Sequence, residues 1–277
     1  MIEPRNVSAI APSRYKAAII DLDGTLIYGR SVRTGARELL ARFAPNYVIA
    51  SNNSTHTSAE LSSMLARLGL EVPSSRIILA GTTAIGMVAC QWPDARVLLI
   101  ASASLRRQAE AFELRLTDEM PDLVLLARDP DFTYAKLVSA VNAVANGARL
   151  VVTNPDLSHP GNGSTIVPET GSLLQALLAC VQPKDGVIIG KPEPHLFTEA
   201  LGRLGVPASD CVVIGDNRHT DGAGAQRLGM AFIEIEHAHH HTFAASDPVM
   251  TNDGSKAIDD AGRTGQSTFD VLSAKRY

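Results

Sequence analysis

Two aspartates one residue apart stand in the run Asp21-Leu22-Asp23-Gly24-Thr25, directly after a short apolar stretch. Two carboxylates on one turn can divide a reaction between them. One binds a hard cation and attacks a centre such as phosphorus, while the other moves a proton. Gly24 permits the tight turn, and Thr25 can bond the acidic loop locally. Ser51-Asn52-Asn53-Ser54-Thr55 offers a hydroxyl and amides to a phosphoryl oxygen. Lys191, between Gly190 and Pro192, can neutralise charge shared by a phosphate and a carboxylate. Asp216 can complete a Mg2+ site with Asp21 and the Asp23 carbonyl, because Mg2+ takes few carboxylates plus waters and phosphate oxygen. Asp221 is better placed to hold Lys191 or a metal-bound water. Taken singly, each has an ordinary reading: an acidic turn, an N-cap at Ser54 or Thr57, a solvated lysine.

What must position these groups is a series of strands. Apolar runs at 16–20, 47–50, 77–79, 96–100, 123–126, 150–152, 187–189, 211–214 and 231–235 alternate with helical patterns. Those patterns fall at 37–43, 59–68, 83–91, 105–112, 134–145, 172–180, 194–204 and 222–228. Such alternation is the signature of parallel sheets covered by helices, so the fold class is α/β with a doubly wound parallel sheet. Ligands gather beyond the carboxyl ends of such strands. Asp21, Ser51, Lys191 and Asp216 each follow a predicted strand, which delivers acid pair, hydroxyl, lysine and acid to one edge.

Composition narrows the partners. The 277 residues are 45% hydrophobic and 19% charged, which excludes wholesale disorder. With 25 basic and 29 acidic side chains, the net charge of −4 supplies no basic stripe for nucleic acid. No apolar run reaches the length of a membrane span, and residues 1–16 lack the apolar stretch of a secretory signal. Cys90, Cys180 and Cys211 are odd in number and widely spaced, as expected of structural thiols in a reducing cytoplasm.

The four motifs together resemble those of the haloacid dehalogenase-like (HAD) phosphohydrolases, over about residues 15–236. The resemblance implies Asp21 as nucleophile, Asp23 as general acid/base, Ser51 and Lys191 as phosphate-stabilising groups, and Asp216 with Asp221 at the metal. The second acid, Asp23, is the mark of phosphatases rather than dehalogenases. About 30 residues separate Asp21 from Ser51, and about 140 separate Ser51 from Lys191. Only the second interval has room for an inserted domain of ordinary size. That placement is similar to the C2-capped branch, which includes NagD, p-nitrophenyl phosphatases and phosphoglycolate phosphatases. The stretches Asp131-Phe132-Thr133-Tyr134 and Thr153-Asn154-Pro155-Asp156 are also similar to segments of that branch.

The resemblance therefore implies a Rossmann-like core at 1–80 and 184–277 and an α/β cap at 81–183. It implies a Mg2+-dependent phosphatase that forms an aspartyl-phosphate on a small ester of a sugar, glycerol, glycolate or nucleotide. A phosphotransferase or mutase using the same intermediate, and a catalytically silent binding protein, are the competing readings. Thr25, Asn52 and Asn53 are expected on the substrate side of the core. Asn154 and Asp156 are either cap contacts to the substrate or a plain turn. The run 158–163, rich in glycine, is expected to be a mobile cap loop. Arg218 and His219 face either substrate or solvent, and a homodimer through the cap is common in the branch. The chain departs from the family after residue 235, where His237, His239, His240 and His241 cluster. Solvated histidines are the ordinary reading there, with a substrate or second-metal role as the alternative.

Overall fold

A computed structural model of the chain describes residues 14–161 and 165–235. The first half runs β1 (Ala17–Ile20), β2 (Ile27–Tyr28), β3 (Ser31–Val32), α1 (Ala36–Phe43), β4 (Tyr47–Ser51), α2 (Ser58–Arg67), β5 (Ile77–Leu79) and α3 (Ala80–Gln91). It continues through β6 (Arg96–Ile100), α4 (Ala103–Ala111), β7 (Arg115–Leu116), β8 (Leu123–Leu126), α5 (Tyr134–Ala145) and β9 (Arg149–Val152). The remainder is β10 (Ser158–Pro160), β11 (Ile166–Pro168), α6 (Thr170–Leu178), β12 (Gly186–Ile188), α7 (His195–Leu204), β13 (Cys211–Gly215), α8 (Ala223–Arg227) and β14 (Ala231–Glu234).

The apolar runs form two five-stranded sheets, in the orders β14-β13-β1-β4-β5 and β12-β9-β8-β6-β7. Every pairing in both is parallel. Strands buried on both faces need apolar side chains at every position, which is why they read as continuous runs. In the first sheet, Ile19 stands beside Val48 and Val213, and Ile20 beside Ile49 and Ile214. The row of Ile19, Val48 and Val213 packs with Ile85 and Val88 of α3 and Phe197 of α7. The row of Ile20, Ile49 and Ile214 packs with Leu39 and Phe43 of α1 and Leu61 and Leu65 of α2. The cluster on the α3 and α7 side continues into Leu99, Leu125 and Val151 of the second sheet.

From β1 the chain steps outward to β4 and β5, and it returns to the other side of β1 only at β13. The strand order therefore reverses between β1 and β13, and a crevice opens there at the carboxyl edge. Thr57 caps α2 in a capping box with Glu60, so the N-cap expected in this loop falls on Thr57 and leaves Ser54 for another role. Thr133 caps α5, which accounts for the Asp-Phe-Thr-Tyr stretch.

Three details differ from the sequence reading. The strand before Lys191 pairs with β9, so it belongs to the second sheet and not to the core sheet. That sheet thus extends past the boundary expected at 183. Part of the expected loop at 158–163 is instead β10, paired antiparallel with β11, with His159 opposite Val167. Three-residue strands carrying proline give no alternation long enough to read. The His237–His241 cluster, and the rest of the core segment expected to 277, lie outside the described residues.

Phe197 is fully buried, and its ring lies against Gly224 of α8, where any Cβ would overlap it. Phe197→Ala is expected to lower the unfolding free energy by about 3–5 kcal/mol. Urea unfolding followed by circular dichroism checks this, and a loss below about 1 kcal/mol contradicts the packing described.

Candidate active site

Asp21 lies one residue past β1, yet its backbone N–H still donates to Ile214 O at 2.8 Å. The ladder thus continues into the turn and fixes the carboxylate between β1 and β13. Asp216 sits at the matching place past β13, and Ser51 ends β4. Three groups of the site therefore come from adjacent strands of one sheet. Lys191 arrives from the far side, three residues after β12 of the second sheet. It is almost fully buried, and Nζ donates to Asp21 Oδ1 at 2.5 Å and Asp221 Oδ1 at 2.7 Å. Burial works against that ammonium, but the charges of Asp21 and Asp221 outweigh it and hold the lysine protonated.

One ammonium faces the carboxyls of Asp21, Asp23, Asp216 and Asp221, and the surplus negative charge registers on them. Burial, then the charges of Asp21 and Asp221, push Asp216 up to about 7. Burial and Asp21 also work against ionisation of Asp221, while Lys191 favours it. Asp23 opens on the crevice, yet the surrounding walls desolvate it. Together with the charge of Asp21 they push it up to about 7, against Lys191. A carboxyl in that range can both hold and release a proton near neutrality. Ser51 Oγ lies 3.5 Å from Asp23 Oδ2, and it accepts a hydrogen bond from the Asn53 backbone N–H at 3.1 Å.

The site fits a hard divalent cation. Asp21, Asp216 and Asp221 each offer an oxygen, all within 4.8 Å of one another. An oxygen-only donor set suits Mg2+ over softer metals. Gly24 has φ +80°, and a Cβ there would overlap the Asp216 carboxylate, so the turn is kept open for that side chain. Asp21 and Asp216, with the Asp23 carbonyl, are the groups that would hold the ion; Asp221 is engaged by Lys191. Thr25 is fully buried, and its Oγ1 has no hydrogen-bond partner among the described residues.

The remaining expected contacts build a clasp between the motifs. Asn52 Nδ2 donates to Asp156 Oδ2 at 3.0 Å and Lys191 O at 3.1 Å, and its Oδ1 accepts the Lys191 N–H at 2.7 Å. Asn52 thus grips both backbone groups of Lys191. Asn53 Oδ1 accepts from the N–H groups of Thr55 and His56, which fixes the loop. Asn154, for which the sequence allows a substrate contact or a plain turn, is fully buried. Its Nδ2 donates to Asn52 O at 2.8 Å and Ser54 Oγ at 2.9 Å, so it ties the second sheet to the Ser51 loop. Asp156 remains half-buried at the edge of that clasp. Arg218 and His219 are exposed, and Arg218 pairs with Glu234 at 2.7 Å.

Sequence reasoning missed the groups on the second sheet's side. Arg128 Nε is 3.5 Å from Glu169 Oε1, and His159 Nδ1 is 2.7 Å from the same oxygen. The Thr170 hydroxyl lies 2.9 Å from Ser54 Oγ. A glutamate between the end of β11 and the start of α6 carries no spacing signal, so only the fold brings it here. Two surface grooves elsewhere share Ser58, Gln108 and Arg203 and include none of the site's four aspartates.

Residues 15–229 match the family model of the haloacid dehalogenase-like hydrolases. A dihydroxyacetone phosphatase of Corynebacterium glutamicum is 29% identical over 220 residues, 78% of this chain and 79% of its own. Among solved structures, a 4-nitrophenylphosphatase of Thermotoga maritima superposes with a TM-score of 0.77 at 25% identity, covering 83% of this chain and 89% of its own. A glycerol phosphate phosphatase of Mycobacterium tuberculosis in complex with magnesium gives 0.74 at 28% identity, covering 84% and 69%.

Gly24→Ala is expected to weaken Mg2+ binding roughly 10–100-fold by displacing Asp216, with the far-ultraviolet spectrum unchanged. Calorimetric titration of Mg2+ reads this directly. Unaltered affinity in the folded variant contradicts the placement of the cation between Asp21 and Asp216.

Proposed function

The chain belongs to the haloacid dehalogenase-like hydrolase family, and from that premise we propose that it is a Mg2+-dependent phosphatase of small phosphate monoesters, with Asp21 as nucleophile. The observation behind this reading is the Lys191 ammonium bonded to Asp21 and Asp221 at the point where the strand order reverses. Asp21 has no freedom to wander, its N–H being held by β13 and its carboxylate by the lysine. Bound Mg2+ supplies Lewis-acid neutralisation of the phosphate charge that would otherwise repel the attacking carboxylate.

Asp21 attacks phosphorus in line, forming a P–O bond to its carboxylate as the bond to the leaving oxygen breaks. Asp23 gives its proton to that oxygen, and the alcohol departs. Asp23, now ionised, takes a proton from water as the water attacks the same phosphorus. The acyl-phosphate bond breaks, inorganic phosphate leaves, and both aspartates return to their starting states. Ser51 and the Lys191 ammonium stabilise the equatorial oxygens, so the work is mostly positioning and electrostatics. Asn52 serves by holding Lys191, and Thr25 and Asn53 by shaping the loops around the phosphate.

The named activities of the relatives, on dihydroxyacetone phosphate and glycerol phosphate, favour a small uncharged organic part. We assign the catalytic core to the segments around the first sheet, and the cap to residues 81–183 extended through β12. Free Cys90, Cys180 and Cys211 support a reducing cytoplasm. Among the described residues, no helix is long and apolar enough to cross a membrane. Exposed Tyr134 and Val138 on α5 support a homodimer through the cap.

Release of phosphate from 4-nitrophenyl phosphate tests the reading. Turnover should need Mg2+ and vanish on chelation. Asp21→Asn should fall to background, and Asp23→Asn should lose roughly 10²–10⁴-fold in kcat. Full activity in a folded Asp21→Asn protein would sink the proposal.

A further inference from the structure

We propose that Arg128, Glu169 and His159 form the surface that reads the organic part of the substrate, and that their charge balance selects uncharged, hydroxylated esters over esters carrying a second anionic group. The proposal rests on the phosphatase reading above and adds a substrate class to it.

The three side chains converge on one oxygen. Glu169 Oε1 lies 3.5 Å from Arg128 Nε and 2.7 Å from His159 Nδ1. Arg128 is bound to the Ser51 loop twice: its N–H donates to Ser54 Oγ at 3.2 Å, and Nη1 donates to Thr55 Oγ1 at 3.2 Å. The set is therefore anchored on the same short loop that carries the Ser51 hydroxyl beside Asp23. Glu169 is near enough for its charge to act on Asp23 itself, and Arg128 near enough to act on His56 in the same loop. Asp156, bonded to Asn52, completes the neighbourhood.

The chemistry of this surface is mixed. Arg128 donates and Glu169 accepts. Burial, then the charge of Arg128, hold the His159 ring below its usual range. Its Nδ1 faces the Glu169 carboxyl at 2.7 Å, and the imidazole adds a second group able to donate or accept. A hydroxyl both donates and accepts, and finds partners of both kinds here. A carboxylate or second phosphate can only accept. It would compete with Glu169 for the one guanidinium and face two carboxyls already short of compensation. Burial drives both upward: Asp156 with the charge of Asp21 adding, and Glu169 to about 7 with Asp156 adding and Arg128 opposing. A site that resists its own negative charge also resists that of a ligand.

The experiment compares kcat/KM for glycerol 3-phosphate and 2-phosphoglycolate with Mg2+, using 4-nitrophenyl phosphate as reference. Wild-type protein is expected to favour glycerol 3-phosphate. Glu169→Gln should shift the ratio toward phosphoglycolate by roughly tenfold, the scale of one screened like-charge contact. His159→Ala, at a more exposed position, should raise KM for glycerol 3-phosphate more than for 4-nitrophenyl phosphate. Preference of the wild type for phosphoglycolate overturns the proposal even if Glu169→Gln fails to fold, and so does an unmoved ratio in folded Glu169→Gln. Absence of Mg2+-dependent turnover on all three esters would instead overturn the phosphatase reading itself.

Discussion

A lysine ammonium buried between two carboxylates, with two more acids close by, is the constraint from which the rest of this site follows. Removing such charges from water costs several kcal/mol per ion, and the cost is recovered only when geometry and hydrogen bonds are both good. Here they are good because three separate elements converge. The ladder between β1 and β13 runs one residue beyond the strand and sets Asp21. The turn after β13 sets Asp221, whose carboxylate packs where a side chain on Gly215 would otherwise lie. Asn52 grips both the N–H and the C=O of Lys191. Even so, one ammonium cannot balance the acids, and Asp23 and Asp216 are left inclined to hold protons. That remaining imbalance is the physical reason the crevice suits a divalent cation.

The clasp has a second consequence. Asn52 and Ser54 from the first sheet, and Asn154, Asp156 and Thr170 from beside the second, form one hydrogen-bonded set. Gly190 passes so close to Asn52 and Thr153 that any side chain there would overlap them. The loop that positions the Ser51 hydroxyl is thereby the same loop that receives the second sheet. The Ser51 loop and the placement of Arg128, Glu169 and His159 are therefore mechanically joined through one hydrogen-bonded network.

How far the residues announced this depends on the kind of signal each gives. Asp21, Ser51 and Asp216 stand at the ends of uniformly apolar runs, and a run buried on both faces leaves little choice but a parallel strand. Their convergence was therefore legible. Lys191 was legible as a group but not in origin: its preceding strand is as apolar as the others, and nothing in Gly-Val-Ile says which sheet it joins. Asn154 reads from the sequence as either a ligand contact or a plain turn, because it is polar and stands just past a strand end. Burial and the contacts of its amide to Asn52, Ser54 and Thr170 make it a structural tie. Glu169 and His159 were invisible for a different reason. They sit on or beside strands of three residues, too short for periodicity, and become partners only through the antiparallel pairing of β10 with β11.

With Asp21 as the proposed nucleophile, phosphorus passes through a covalent bond to its carboxylate. Rapid quenching of the enzyme during turnover of glycerol 3-phosphate, reduction with borohydride and peptide mass spectrometry test it most directly, since hydride converts an acyl phosphate to an alcohol. Homoserine is expected at position 21, formed only with Mg2+ and substrate present. Unmodified Asp21 under turnover, with phosphate trapped on another side chain, would contradict it.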